Sequence, residues 1–479
     1  MQQIQFQKAG LLAGPILFCL IYFFPPILIS EQADPVIALA GWMIIWWISE
    51  AISIAVTALL PLTLFPLLGL MEVKAVASHY ASPIVYLFFG GFVIALALEK
   101  VQLHRRLALS ILKLTGSRAN GIIRGFMIAT ALMSMWISNT ASTVVMLPIA
   151  VSVIGLLQNG QSGSTLGEHR FSLGIMLGIA FAANIGGMAT LIGTPPNSVM
   201  YAFVENTYQI DIGFFQWMVF GVPFAAALLL ICYLIIVKVV YPNHLGQLPT
   251  SSDIISTELQ KLGPMRKEEK TVLVIFAVTA LSWMLRGQIN RLFPGLGMTD
   301  TSISLLAALA MFVVPTNWAD KQFPLTWDDT QKLPWGILIL FGGGLALAAG
   351  LSQAGLIDLV GDWISNQTNW PILLIASVLI FLMLFMTELI GNVALVTILI
   401  PLVAGIAIGL DVPILHLVIP VTLASSCAFM LPMATPPNAI VFASGHIRVY
   451  QMVRVGIFLN LISAGLLIVL GQLVVPLLF

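Results

Sequence analysis

Charge is what this 479-residue sequence has least of. Asp, Glu, Lys and Arg make up 8% of it, against roughly 25% in a soluble domain. With 59% hydrophobic residues and a mean hydropathy of +1.02, that deficit excludes an ordinary soluble fold and implies a polytopic membrane protein. Neither sign of charge is in excess, since the formal net charge is zero, so nothing points to nucleic acid. Cysteine is nearly absent. Cys19, Cys232 and Cys427 lie far apart in apolar stretches, form no ligand or disulfide pattern, and read as small hydrophobes. The six histidines are scattered, and the pair Asp328-Asp329 falls in a loop. An intramembrane enzyme would need paired acids, a nucleophile with its base, or a metal pair at depth, and none is present. The continuous polar lining of a channel is missing too.

What is present is a series of apolar runs of about the 20 residues that cross a bilayer. They fall near 10–29, 35–50, 53–71, 82–99, 171–204, 213–240, 270–287, 301–316, 334–352, 412–445 and 452–478. The first lacks the basic start and small-residue cleavage site of a signal peptide and reads as the first transmembrane helix. Two further runs, 121–157 and 371–407, are long for one span and carry polar residues near their middles. Each is either a full span or a re-entrant hairpin. Charge favours hairpins. With the N-terminus cytoplasmic and both runs re-entrant, only Lys74, Arg286 and Arg291 of the 20 basic residues lie outside, as the positive-inside rule requires. The C-terminus is then outside. The stretch 100–117, with His104, Arg105, Arg106 and Lys113 among leucines, reads as an interfacial amphipathic helix. Residues 241–269 read as a cytoplasmic connector.

The sequence also repeats itself. Residues 86–97, built around Phe88-Phe89-Gly90-Gly91, resemble 339–348, built around Phe341-Gly342-Gly343-Gly344. An amphipathic stretch, a hairpin candidate and a Gly/Pro-interrupted helix follow each copy, and the copies run in opposite directions. Inverted repeats with broken helices mark a secondary transporter, and the breaks point to its site.

Four polar elements stand out. The first is the tip Ser134, Ser138, Asn139 and Thr140. The second is the break from Asn184 through Gly187 to Thr194-Pro195-Pro196-Asn197. The third is the tip Thr387, Glu388, Ile390, Gly391, Asn392 and Val393. The fourth runs from Ser425 through Ala434 to Thr435-Pro436-Pro437-Asn438. The identical Thr-Pro-Pro-Asn words are the most specific signal in the chain. At a hairpin tip one half-helix ends on free carbonyls and the next begins on free N–H groups. Carbonyls and hydroxyls suit a hard cation such as Na+, and N–H groups with the helix dipole suit an anion. The blander readings are Ser/Thr packing between membrane helices and a proline kink, but two prolines and a matched partner exceed what either needs. Glu388 is the only carboxylate deep in an apolar run. It reads equally as a proton or cation site and as a structural group held by hydrogen bonds.

At these residues the chain resembles the divalent-anion/sodium symporter (DASS, INDY-like) family. The resemblance covers nearly the whole length, through the Phe-Gly-Gly helices, Ser138-Asn139-Thr140, Gly193 to Asn197, and Cys427 to Ala439. It implies an all-α polytopic membrane protein with eleven transmembrane helices, two re-entrant hairpins, and scaffold and transport domains in an inverted repeat. Scaffold helices and an interfacial helix would occupy 1–120, and the transport part of repeat 1 would occupy 121–240. The connector would occupy 241–269, scaffold helices of repeat 2 would occupy 270–370, and the second transport part would occupy 371–479. It further implies a homodimer in the bacterial inner membrane that carries a small divalent anion with sodium by an elevator-type movement. The expected anion is a C4-dicarboxylate such as succinate or malate. Sulfate, another small anion, or sodium-independent exchange are the alternatives. Two Na+ sites are implied: Ser134, Ser138, Asn139 and Gly187 at one, and Thr387, Ile390, Asn392 and Ala434 at the other. The anion would lie among Asn139, Thr140, Gly391, Asn392, Thr435 and Pro436. Typical members carry Ser-Asn-Thr at both tips. Here Gly391 and Val393 replace the second Ser and Thr, which removes two hydroxyls from the anion side.

Overall fold

The structure, a computed structural model, describes residues 2–24, 33–158, 166–357, 359 and 370–479. Among these residues the chain is helical apart from loops and two isolated β-bridges. Among the described residues eight helices are long and apolar enough to cross a membrane, and six shorter apolar helices accompany them. Three of the short ones, Asn139–Gly155, Ile372–Met386 and Ile414–Ser425, abut the polar tips and breaks.

In the first half, α1 (Gln2–Phe23) packs on α2 (Ala33–Ser49). The part of the expected first span beyond residue 24 lies outside the described residues. The expected span 53–71 is instead two short helices, α3 (Ile54–Thr57) and α4 (Leu60–Leu67). Proline explains the interruption: Pro61 has no N–H to donate to the carbonyl of Thr57, so the helix does not run through unbroken. Next come α5 (Val73–Tyr80), α6 (Pro83–Lys100), α7 (Leu103–Leu114), α8 (Ala119–Ser134), α9 (Asn139–Gln158), α10 (Leu166–Gly187), α11 (Pro195–Tyr208) and α12 (Phe214–Leu234). The last continues as a π-helical turn, Ile235–Val240.

In the second half, α13 (Pro249–Lys261) leads to α14 (Lys267–Leu292), α15 (Asp300–Val313) and α16 (Trp335–Gln353). Then follow α17 (Ile372–Met386), α18 (Asn392–Gly409), α19 (Ile414–Ser425), α20 (Pro436–Ala443), α21 (Val449–Leu473) and α22 (Val475–Leu478). Residues 360–369, at the expected boundary between the second scaffold and transport parts, lie outside the described residues.

Burial separates core from periphery. The spanning window of α10 is 94% buried, whereas those of α1 and α14 are 11% and 22% buried. The broken helices are therefore central. The direction of α8 is informative. Built Cβ atoms at Gly174 and Gly178 point at Ile123 and Met127 of α8, so α8 and α10 run parallel, side by side. Two parallel neighbours joined by one intervening helix require that α9 return the chain to the side where α8 began. Residues 119–158 are thus a helix-turn-helix, with 135–138 as the turn.

The repeat is visible in the packing. Phe88 and Phe341, which hold equivalent positions in the two Phe-Gly-Gly words, meet edge to face with ring centroids 5.2 Å apart. Glycines let the neighbouring backbones close in. A Cβ on Gly90 would overlap Ser304, and one on Gly343 would overlap Ala58.

The interfacial helix is tied to the connector. Arg105 pairs with Glu258 at 2.7 Å and Arg106 with Glu269 at 2.5 Å. A bond from Lys261, aided by Arg105, holds the Glu258 carboxyl below its ordinary range. Both arginines of α7 are therefore engaged within the protein.

Gly90→Val and Gly343→Val should each lower the yield of folded, monodisperse protein, because overpacking costs about 1–3 kcal/mol or more. Gly155→Ala, where nothing lies within 4 Å of the new carbon, should be neutral by size-exclusion profile and thermal midpoint.

Candidate ion and anion site

The two helix-turn-helix tips and the two broken helices meet around one cavity of about 420 Å³, a size typical of small-molecule sites. Asn139, Thr140 and Asn392 line it from the tips, and Asn184, Thr194, Thr435 and Pro436 line it from the breaks. Trp136, Ile137 and Phe92 supply apolar wall.

The first tip is organised by Ser134, whose hydroxyl lies 2.7 Å from the carbonyl of Ala183 and 2.6 Å from Asn139 Oδ1. In this orientation the amide oxygen of Asn139 faces only acceptors. Turned over, its nitrogen reaches Ser134 Oγ at 2.6 Å, Ala183 O at 3.2 Å and Gly193 O at 3.3 Å. Oxygens converge there either way, and they need a donor or a cation among them. Gly187 belongs to the same cluster, for a Cβ at that position would stand 2.5 Å from Asn139 Oδ1. Ser138 caps α9 by accepting from Ala141 N at 3.1 Å, which leaves the N–H groups of 139 and 140 at the positive end of the helix. Among the described residues no group of three or more His, Cys, Asp or Glu could hold a metal. The groups available to a cation at this tip are neutral oxygens, which are hard ligands of the kind that suit Na+.

The second tip repeats this frame with differences. Thr387 donates to Ser425 O at 2.7 Å, the counterpart of Ser134 with Ala183. Asn392 stands in the cavity wall, and among the described residues its side chain has no hydrogen-bond partner. Ile390 lies at the turn beside it, and Ala434 is buried at the end of the second break. Gly391 is the N-cap of α18 and carries no capping side chain, so the N–H group that Ser138 occupies at the first tip stays free at the second. Gly391 is exposed and does not line the cavity, whereas Val393 does.

The two Thr-Pro-Pro-Asn words have one shared structural task. Asn197 Nδ2 donates to Thr190 O at 2.9 Å and Met188 O at 3.3 Å. Asn438 Nδ2 donates to Leu431 O at 3.1 Å and Ala428 O at 3.0 Å. Each asparagine gathers the loose carbonyls of its own break, and each proline pair opens the following helix, where a missing N–H costs nothing. Asn184, which the motif reading did not single out as a ligand, joins the halves by donating to Thr435 Oγ1 at 3.0 Å and Asn438 Oδ1 at 3.3 Å.

Glu388 is resolved in favour of structure. One carboxylate oxygen accepts from Phe429 N and Met430 N at 2.9 Å and from Asn460 Nδ2 at 2.8 Å. The other accepts from Leu431 N at 2.9 Å. Four donors converge on the group, so it is not a cation ligand. A second residue was invisible to motif reading: Lys332, outside all four elements, lines the cavity together with Glu99. No Lys or Arg falls within the tips and breaks themselves.

The family described as the sodium:sulfate symporter transmembrane region matches residues 6–479. The chain is similar to two proteins named sodium-dependent dicarboxylate transporter SdcS. One, from Staphylococcus saprophyticus, is 36% identical over 98% of this chain and 92% of the relative. The other, from Staphylococcus aureus, is 38% identical over 98% and 91%. Among solved structures, the YdaH transporter of Alcanivorax borkumensis superposes with a TM-score of 0.50 at 14% identity, covering 84% of this chain and 88% of that one, a likeness of fold alone.

Glu388→Gln should lower the thermal midpoint, because a neutral amide turns one acceptor into a donor against backbone N–H groups. The cost expected is about 1–3 kcal/mol. If the carboxylate is structural, the folded variant keeps its response to sodium in a thermal-shift titration. Loss of that response with an unchanged midpoint would make it a ligand.

Proposed function

The chain belongs to the sodium:sulfate symporter family, and on that premise we propose that it carries C4-dicarboxylates such as succinate and malate with sodium across the bacterial plasma membrane. The observation that carries this reading is the oxygen cluster around the Asn139 amide, set against a cavity whose tip residues include no charged side chain. The names and near-complete coverage of the staphylococcal relatives support the dicarboxylate.

Sodium is taken by Ser134, Ser138, Asn139 and Gly187 at the first tip, and by Thr387, Ile390, Asn392 and Ala434 at the second. Positive charge at the tips and the N-terminal ends of α9 and α18 then balance the dianion. Thr140 contributes a hydroxyl. Thr435 already accepts from Asn184 and from Asn438 N, so its own O–H remains as a donor toward the cavity. Apolar walls cover the carbon chain. Sodium binds before or with the anion, because the tips and breaks carry no basic side chain and a dianion left unbalanced there is costly.

Eleven spans and two hairpins, with the N-terminus cytoplasmic and the C-terminus outside, agree with the charge distribution and with the parallel packing of α8 on α10. Transport parts 121–240 and 371–479 move as a unit against a dimerising scaffold formed by 1–120 and 270–370. In support, the tips and breaks interlock through the hydrogen bonds of Ser134, Asn184, Thr387 and Glu388. By contrast, ionic contacts between Arg286 and Asp211 join the two parts near the surface.

One observation favours a smaller anion such as sulfate: Gly391 and Val393 leave the second tip short of two hydroxyls. Competition decides between them. In proteoliposomes, succinate uptake should require an inward sodium gradient, vanish when choline replaces sodium, and resist excess sulfate. Asn139→Ala and Asn392→Ala should each abolish it, and near-normal uptake in both would refute the site. A Cβ at Gly391 meets nothing within 4 Å, so Gly391→Ser with Val393→Thr should fold normally. It should tighten succinate binding by up to about tenfold, since the one donor added in the cavity wall, at position 393, contributes about 0.5–1.5 kcal/mol.

A further inference from the structure

A second cavity, about 400 Å³, lies outside the transport site between α8, α10 and α12. It is a groove with two unlike ends. Arg124 and Tyr233 line one end. Met135, Ala189 and Val222 line the other, and small residues including Ala131 and Ala226 form the walls between. The ends follow from helix directions. The α8 helix is parallel to α10, and α12 is antiparallel to it, because Trp217 bonds Met188 O while Ile236 lies over Gly174. Arg124 and Met135 are eleven residues apart on α8, about 16 Å at 1.5 Å per residue.

Arg124 is exposed, and among the described residues it has no ion-pair or hydrogen-bond partner. An unpaired guanidinium on a membrane helix needs an anion or the aqueous boundary. Here it stands at the head of an apolar trough that runs inward to the back of the first tip. Met135, at the inner end, is part of the tip itself, and its carbonyl accepts from Thr190 Oγ1 at 2.6 Å.

We propose that this groove binds one acyl chain of an anionic glycerophospholipid, with the phosphate on Arg124 and the chain packed behind the first tip. A guanidinium grips a phosphodiester through paired N–H donors, and basic pockets between helices at the cytoplasmic level suit anionic headgroups. The inference rests on the hairpin topology above, which puts Arg124 at the cytoplasmic boundary. It does not depend on which anion is transported. Occupied, the groove stiffens α8 against α12 just behind the cation ligands.

The test uses the full-length protein in a neutral detergent, titrated with phosphatidylglycerol or with phosphatidylcholine of the same chains, with lipid binding read by native mass spectrometry and thermal midpoint. Phosphatidylglycerol should bind more tightly and raise the midpoint further. Arg124→Gln should weaken it roughly fivefold, to the level of phosphatidylcholine, the effect of one basic residue at an anionic headgroup. Arg124→Lys should restore most of the preference. Ala226→Trp, which fills the groove, should remove both lipids. Equal binding of the two lipids by the unaltered protein, or an undiminished preference in Arg124→Gln, overturns the proposal. So does a midpoint shift reproduced by inorganic phosphate alone. Succinate uptake does not enter the readout, so a failure here is distinct from a failure of the transport reading.

Discussion

Everything central in this protein follows from the cost of unpaired backbone polar groups inside a membrane. A helix that stops at depth leaves four carbonyls or four N–H groups without partners. This chain stops helices at depth at two tips and two breaks. The site consists of what satisfies those groups and of what is left over for ions. Ser134 and Thr387 each donate to a carbonyl at the end of the neighbouring half-helix, Ala183 and Ser425. Asn197 and Asn438 gather carbonyls within each break. The proposed cation ligands cluster around the Asn139 amide, and the opening turns of α9 and α18 are the proposed place for the anion.

The two halves solve one shared problem by different chemistry. In the first repeat, Thr190 reaches across to Met135 O beside the tip. In the second, Glu388, the residue after Thr387, takes up three backbone N–H groups of residues 429–431 and the amide of Asn460. A carboxylate that accepts from four donors needs no counter-ion to be stable at depth. The residue most suggestive of proton or sodium coupling is thus the staple that fixes the second tip to its break. The lost hydroxyls at Gly391 and Val393 make the second tip poorer in side-chain donors but leave it an uncapped backbone N–H. Both tips keep an asparagine at the same place.

Much of this could be read in the sequence because breaks are written in residue types with single physical meanings. Paired prolines open helices, and identical words in opposite halves announce a repeat. The placement of 17 of 20 basic residues on one side is the sequence argument for the proposed topology, and the parallel packing of α8 on α10 is consistent with it. Other features were not legible because they depend on partners distant in sequence. Nothing local marks Asn184 as the bond between halves, since Thr435 is 251 residues away. Nothing marks Lys332, at the end of a short 3-10 turn outside every motif, as cavity wall. The role of Glu388 was undecidable until the donors around it were known. The stretch 53–71 is interrupted for a local reason, because Pro61 is a missing donor inside an apolar run.

The central claim is that a dianion is held at the tips by cations bound to neutral oxygens and by helix N-termini. Calorimetric titration of the purified protein with succinate, in sodium and in choline at equal ionic strength, tests it most directly. The account predicts saturable binding in sodium, none in choline, and none in either salt for Gly187→Ala, whose methyl group would crowd Asn139. Equal binding in sodium and choline would contradict it.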